Sequence, residues 1–388
     1  MQSRVYQFAS DENAGAPETG AAISEQEVIA FAAEIRRAVC ESDCARFLQL
    51  VDWRRIFERA TSIPALPELH EQRESFTAGG LAAVSRTGAV HEGLHQAIKA
   101  GASYKPVHVD LNVAGPSVLL RLNLPNGGGL NYHQYTVIRK PDGNLVADDI
   151  FVFLTAEHLS HAFRRCWLSL AKVALQEIVG EFSELDDPFL IHIDDVVSMD
   201  ALVDLGRYAE ALELYRRFPE SLRKNKSLMA NALTAAQGVS EEDYAEIIDD
   251  FRKAYAHEAA LALVLIEGYS ARKRFDRALC CVERLSTLVG GDSLLAAKRA
   301  AFLLELGRVA EARQAIDLVI AGEPDEYDGF AIGLDVALAE RNFEDVLKYL
   351  TILEGRFDIE LDDLEESDDF AEFVISPQYQ AWLNAHRQ

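Results

Sequence analysis

The chain has 388 residues, 49% of them apolar and 26% charged, a composition that folds and a length that asks for two or three domains. Its formal net charge of −25 argues against nucleic acid as the main ligand, since phosphate binding needs a dense basic surface, and favours a neutral or basic partner. No apolar run reaches the ~20 residues that span a bilayer, which argues against a membrane protein.

Residues 1–23 lack the basic start and apolar stretch of a signal peptide and read as a flexible leader. Ser24 is a helix N-cap with Glu27 completing a capping box, and Val28, Phe31, Ala32, Ile35 and Val39 follow at helical spacing. Further helix is expected from Phe47 to Phe57, a break at Pro64 and Pro67, and helix again over about 69–100, weakened by Gly79, Gly80 and Gly88.

From Tyr104 the apolar period becomes two. Val107, Val109, Leu111 and Val113 alternate with His108, Asp110 and Asn112, and Val118, Leu120, Leu122 and Leu124 form a second strand. The run Asn126 to Gly129 is a turn, Leu130 to Arg139 a third strand, and Pro141-Asp142-Gly143 a tight hairpin into Leu145 to Leu154. About four antiparallel strands in a meander are expected. Thr155 then caps a long helix from Glu157 to Phe182 that links to the rest of the chain.

That order of elements, with the run GGLNYHQYTVIRKPDGNLVADDIFVFL, resembles the NTF2/SnoaL-like family over about residues 24–165. The resemblance implies helices packed into a curved antiparallel sheet, a cone that often encloses a pocket. It also implies functions ranging from isomerases and hydrolases to ligand binding and dimerisation, here a homodimer through the N-terminal sheet. Fold alone does not choose among them.

Two polar constellations could carry chemistry. His91-Glu92-Gly93-Leu94-His95 is a literal HExxH, in which histidines at i and i+4 share a zinc ion and the glutamate acts as general base. Gly93 weakens the helix that this needs, and Ile98 and Gly101 stand where the extended motif has Gly and a third His. A helix-capping or exposed histidine pair is the reading adopted, with a zinc hydrolase through His91, Glu92 and His95 as the alternative. The second constellation lies on the sheet. His133, Tyr135 and Asp149 are its pocket candidates for acid–base work. His108, Asp110 and Arg121 alternate with apolar neighbours and are expected to face solvent or another subunit, and only one of Asp148 and Asp149 is expected to point inward. The sequence holds no GxSxG, P-loop, GxGxxG or CxxC pattern, and no cofactor is expected.

The C-terminal half is repetitive. Tyr208, Ala211, Tyr215 and Phe218 lie on one helix face, and the same spacing returns as Tyr244, Ile247, Phe251 and Ala254, then Phe275, Ala278, Val282 and Leu285. Val309, Ala312, Ile316 and Val319 are the fourth copy and Phe343, Val346, Leu350 and Leu353 the fifth. Steps at the Ala211-type position are 36, 31, 34 and 34 residues, so the second copy is shifted, and Ile247 replaces its small residue. The series resembles tetratricopeptide repeats (TPR). It implies a helical solenoid over residues 191–356 whose concave surface holds a protein or peptide partner.

Asp358 to Glu372 contains nine acidic residues and no basic one, and the amphipathic end to Gln388 is expected to cap the last repeat. Five cysteines without zinc-like pairing read as reduced thiols. The expectation is therefore an α+β NTF2-like domain over 24–165, a connecting helix and linker over 166–190, five TPR-like hairpins over 191–356, and an acidic capping segment over 357–388. Its expected role is a cytoplasmic, non-enzymatic adaptor.

Overall fold

The computed structural model describes residues 22–62, 69–111, 115–124, 129–179, 188–255, 259–359 and 364–386. Residues 1–21 of the expected 1–23 leader, the Pro64 and Pro67 break, Val113, and most of the Asn126 to Gly129 turn lie outside them. Two compact units emerge, Met1–Leu261 and Ala262–Gln388.

The first unit opens with α1 (Glu25–Cys40), capped by the reciprocal Ser24 and Glu27 bonds that the sequence announces. Next come α2 (Cys44–Leu50) and α3 (Trp53–Ala60), started by Asp43 and Asp52 as N-caps. The expected 69–100 helix is two: α4 (His70–Thr87) and α5 (Ala89–Lys99). Gly88, at φ +57, breaks it, since the left-handed conformation ends one helix and begins the next.

Strands β1 (Ser103–Asp110), β2 (Ser117–Asn123), β3 (Leu130–Arg139), β4 (Leu145–Val152) and β5 (Glu157–His158) form one antiparallel meander in sequence order. Residues 140–144 close β3 to β4 through Lys140 N–H to Asn144 O at 2.8 Å. Val118, Leu120, Leu122, Tyr135, Val137, Ala147 and Ile150 face one way and form a core with Val28, Phe31, Ile35, Phe47 and Ile56 of the helices. The other face is buried too: Leu119 is buried, and Arg121 and Tyr132 are inaccessible. Arg121 therefore does not face solvent, whereas His108 is exposed and Asp110 half-buried. Alternation separates the two faces of a strand, but it does not say that one of them is wet.

Glu157 and His158 form the short β5, so the following helix α6 starts at Leu159 and runs to Val179, and Thr155 is not its cap. The helices α7 (Pro188–Asp204), α8 (Tyr208–Arg217), α9 (Glu220–Arg223), α10 (Lys226–Gln237) and α11 (Glu241–Ala254) complete the first unit as two hairpins, α7 with α8 and α10 with α11. The one-turn α9 accounts for the long 36-residue step. It is an insertion between the hairpins, held by Tyr215 Oη donating to Arg223 O at 2.8 Å.

The second unit begins within α12 (Ala259–Ala271) and continues through α13 (Phe275–Leu288), α14 (Ser293–Glu305), α15 (Val309–Gly322), α16 (Tyr327–Ala339) and α17 (Phe343–Phe357). Short α18 (Ala371–Val374) and α19 (Pro377–His386) follow. Packing pairs α14 with α15, α16 with α17, and the successive α13–α14 and α15–α16 helices. Ala211, Ala278 and Ala312 have no exposed surface, nor does Val346, and Ile247 is as deeply buried. Leu364, Phe373 and Tyr379 join Phe330, Leu334, Tyr349 and Leu353 in a final cluster, so residues 364–386 seal the last hairpin with apolar side chains.

One turn recurs. Gly206, Lys273, Gly307 and Arg341 all have φ between +54 and +71, each two residues before the second helix of its hairpin. At each, the following N–H reaches the carbonyl five residues back: Arg207 to Leu202, Arg274 to Tyr269, Arg308 to Leu303 and Asn342 to Ala337, all at 2.8–2.9 Å. This is the Schellman closure of a helix. The second hairpin alone among these departs from it, starting α11 from a Ser240 side-chain cap.

Candidate functional site

The histidines of the HEGLH segment lie on α5, buried against the end of α1. The last carbonyls of a helix have no partners of their own and need donors from elsewhere. His91 Nε2 meets Ala38 O at 3.0 Å and His95 Nδ1 meets Val39 O at 2.9 Å. Since a carbonyl only accepts, each of those nitrogens carries the proton. The rings stack 5.9 Å apart at 8°, with Phe47 against His91, and Glu92 stays outside, bonded to Gln96. A shared zinc ion would need lone pairs converging on one point, whereas here Nε2 of His91 faces a carbonyl oxygen. Among the described residues no group of three or more His, Cys, Asp or Glu gathers around a common position.

Asp149 sits on β4, on the sheet face opposite His133 and Tyr135. Its Oδ1 accepts from the N–H groups of Ile150 at 2.8 Å and Ser160 at 3.3 Å, so it caps the start of α6 from outside the helix. Both Asp148 and Asp149 are buried. The β3–β4 register shifts between Thr136 and Val137, leaving Asp148 as an extra residue, and this bulge lets both carboxylates reach Arg59 of α3. Arg55 adds a second guanidinium to Asp148 at 2.5 Å. Strict two-residue alternation fails at a bulge, which is why the expected single inward aspartate is not found.

His133 and Tyr135 do come together, with Tyr104 of β1, which sequence reading did not single out. Tyr104 Oη lies 3.1 Å from His133 Nδ1 and 2.8 Å from Tyr135 Oη, and all three side chains are buried. Asn131 fixes the protons. Its Oδ1 accepts from the N–H groups of Tyr132 and Leu154, which turns its Nδ2 toward His133 Nε2 at 3.3 Å. Nε2 is then the acceptor and Nδ1 the donor, toward Tyr104. Burial pushes His133 down to about 4 and raises both phenols above their ordinary value. The cluster is neutral at pH 7. Three protons (one imidazole, two phenolic) serve only two contacts among Nδ1 and the two Oη atoms, so one phenolic O–H is left over.

A fourth cluster had no signal in the sequence beyond an arginine in an apolar helix. Arg165 of α6 holds Glu157 of β5 with both ends of its guanidinium, one contact at 2.9 Å, and Asp200 of α7 at 3.2 Å. Ser227 of α10 lies 3.4 Å away, and Asn231 of α10 donates to Asp200 at 2.6 Å. Burial, then Glu157 and Asp200, set its ionisation, the carboxylates raising its pKa against the desolvation.

No helix among the described residues is long and apolar enough to cross a membrane. Compared with protein-family models and with curated proteins, the chain matches none.

Proposed function

We propose that the protein is a non-enzymatic interaction adaptor whose hairpins form a TPR-like array that holds a protein or peptide partner. The observation that carries the reading is the turn that recurs at positions 206, 273, 307 and 341 with one backbone conformation and one hydrogen-bond pattern. Hairpins closed alike present alike-placed faces, and an array of such faces is an extended binding surface. The 34-residue register puts Val264, Lys298 and Ile332 on one line along α12, α14 and α16, all three half-buried. In the arrangement the resemblance implies, first helices line the concave surface, so these residues are its contact candidates. The net charge favours a neutral or basic partner, and five free cysteines suit a reducing compartment, the cytoplasm.

The test is quantitative affinity capture with the wild-type chain, a Val264→Arg/Ile332→Arg variant and a Leu318→Arg control, Leu318 being exposed on a second helix. A saturable partner lost at least about tenfold by the double variant and kept by the control supports the reading. A partner retained by all three, or equal loss in both variants, rejects it.

One observation favours a second reading, small-ligand binding in an NTF2-like sheet domain: the leftover phenolic proton of the Tyr104–His133–Tyr135 cluster. A neutral acceptor beside the Tyr104 or Tyr135 hydroxyl in an experimental density map would support it. A single water there, or nothing, removes it.

A further inference from the structure

The first hairpin of a helical array has a face that no earlier hairpin covers, and arrays solve this with a capping element. In this chain α6 packs against α7 and also against α3 and β4. Its apolar side does ordinary core work: Trp167 lies against Phe76 of α4, and Trp167, Leu168 and Ala171 are buried, as are Ile193, Val196 and Met199 of α7. Its polar contribution is Arg165, whose partners come from β5, α7 and α10.

We propose that the sheet domain is the fixed end cap of the first two helical hairpins, with Arg165 locking them onto it so that the described residues between 22 and 255 open as one body. This goes beyond the adaptor reading and does not depend on any partner. It places the functional boundary after α11 rather than in the 166–190 segment, in line with the compact unit that ends at Leu261.

Apolar packing alone tolerates sliding between helices, whereas a planar guanidinium with partners on three elements fixes one arrangement. The cluster is also hard to leave half-made. The Glu157 side chain is 9% exposed and that of Arg165 17%, so removing the cation strands Glu157 and Asp200 near each other with no counter-charge. The lock therefore holds completely or the hairpins detach, which is the behaviour that distinguishes a cap from a tethered neighbour.

Hydrogen exchange on the full chain in mild denaturant tests this. In the wild type, amides of β2, β3, α7, α8, α10 and α11 should follow one opening curve. In Arg165→Met, which keeps the aliphatic stem, α7–α11 should exchange at least about tenfold faster than β2 and β3 at the same denaturant concentration. Should that variant fail to fold, Arg165→Met with Glu157→Gln and Asp200→Asn removes the stranded charges and carries the same expectation. Separate opening of α7–α11 in the wild type, or an unchanged ratio in the folded variant, overturns the proposal.

Discussion

The sheet domain and the hairpins both use local N-caps, but the sheet domain also closes helix ends from a distance. In the sheet domain, the end of α1 is closed by histidines 53 and 56 residues away in sequence, and the start of α6 by a strand aspartate. In the hairpins, four first helices end on their own backbone through the turn at positions 206, 273, 307 and 341. Local closure repeats with the chain and leaves a period that can be read. Remote closure places polar side chains at isolated, buried positions, where their spacing in sequence says little about their partners.

The comparison is most exposed to failure at Asp149. Asp149→Ala removes the acceptor for two buried N–H groups and one partner of Arg59, and should cost about 3–4 kcal/mol by urea denaturation. A loss under 1 kcal/mol would show that the cap is idle. His95→Ala takes the donor from Val39 O and should cost about 2 kcal/mol, with or without chelator; a chelator-dependent loss would return the pair to metal chemistry. On the hairpin side, Ala312→Leu overpacks a position with no exposed surface and should cost about 1–3 kcal/mol, while Ala310→Leu, on the exposed face, should cost under about 0.5. Equal costs would mean that the repeat register is misplaced.

The turn itself should give smaller effects. Gly307→Ala puts a side chain at φ +71 and should cost about 1 kcal/mol, whereas Arg341→Gly, at φ +56, should gain about 0.5–1. Gains and losses of the same sign at both sites would break the equivalence of the two turns.

Acid should move the two regions in opposite directions, the finest of these effects. Burial lowers His133 to about 4, so protonation favours the unfolded chain, and the sheet loses stability as pH falls from about 6.5 through 4. Asp335 is raised to about 6 by desolvation and then by Asp369 and Glu305, but its side chain reaches solvent, which screens the effect and makes it the smaller of the two. Its contribution has the other sign: present below its unfolded value near 3.8, and lost as pH rises through 6. Between pH 7 and 5, exchange protection should therefore fall in β3 and rise in α16, and Asp335→Asn should flatten the α16 response alone. Parallel changes in both elements would rule this out.

Much of the fold was legible for physical reasons. Capping-box chemistry, two-residue alternation and the 34-residue recurrence are local properties, and the meander and the hairpins follow from them. The candidate sites were less legible. HEGLH reads as a metal motif because i, i+4 histidines share a helix face, and the sequence does not say that the last carbonyls of α1 meet both rings. Arg121 was misplaced because both sheet faces are packed. Asp148 and Asp149 were misjudged because one bulge breaks parity, and Arg165 was silent because its partners lie on three separate elements.

The recurring turn has a consequence for how the chain can be rewritten. Residues 307 and 341 stand 34 positions apart in the same backbone state, each followed by an N–H bonded five residues back. Excising residues 307–340, or duplicating them, joins one seam to its own copy and needs no new loop. The stretch from Gly206 onward offers no such cut, because α9 and the Ser240 cap break the repeat there. Length is thus an adjustable property among the last hairpins and a fixed one in those next to the sheet domain.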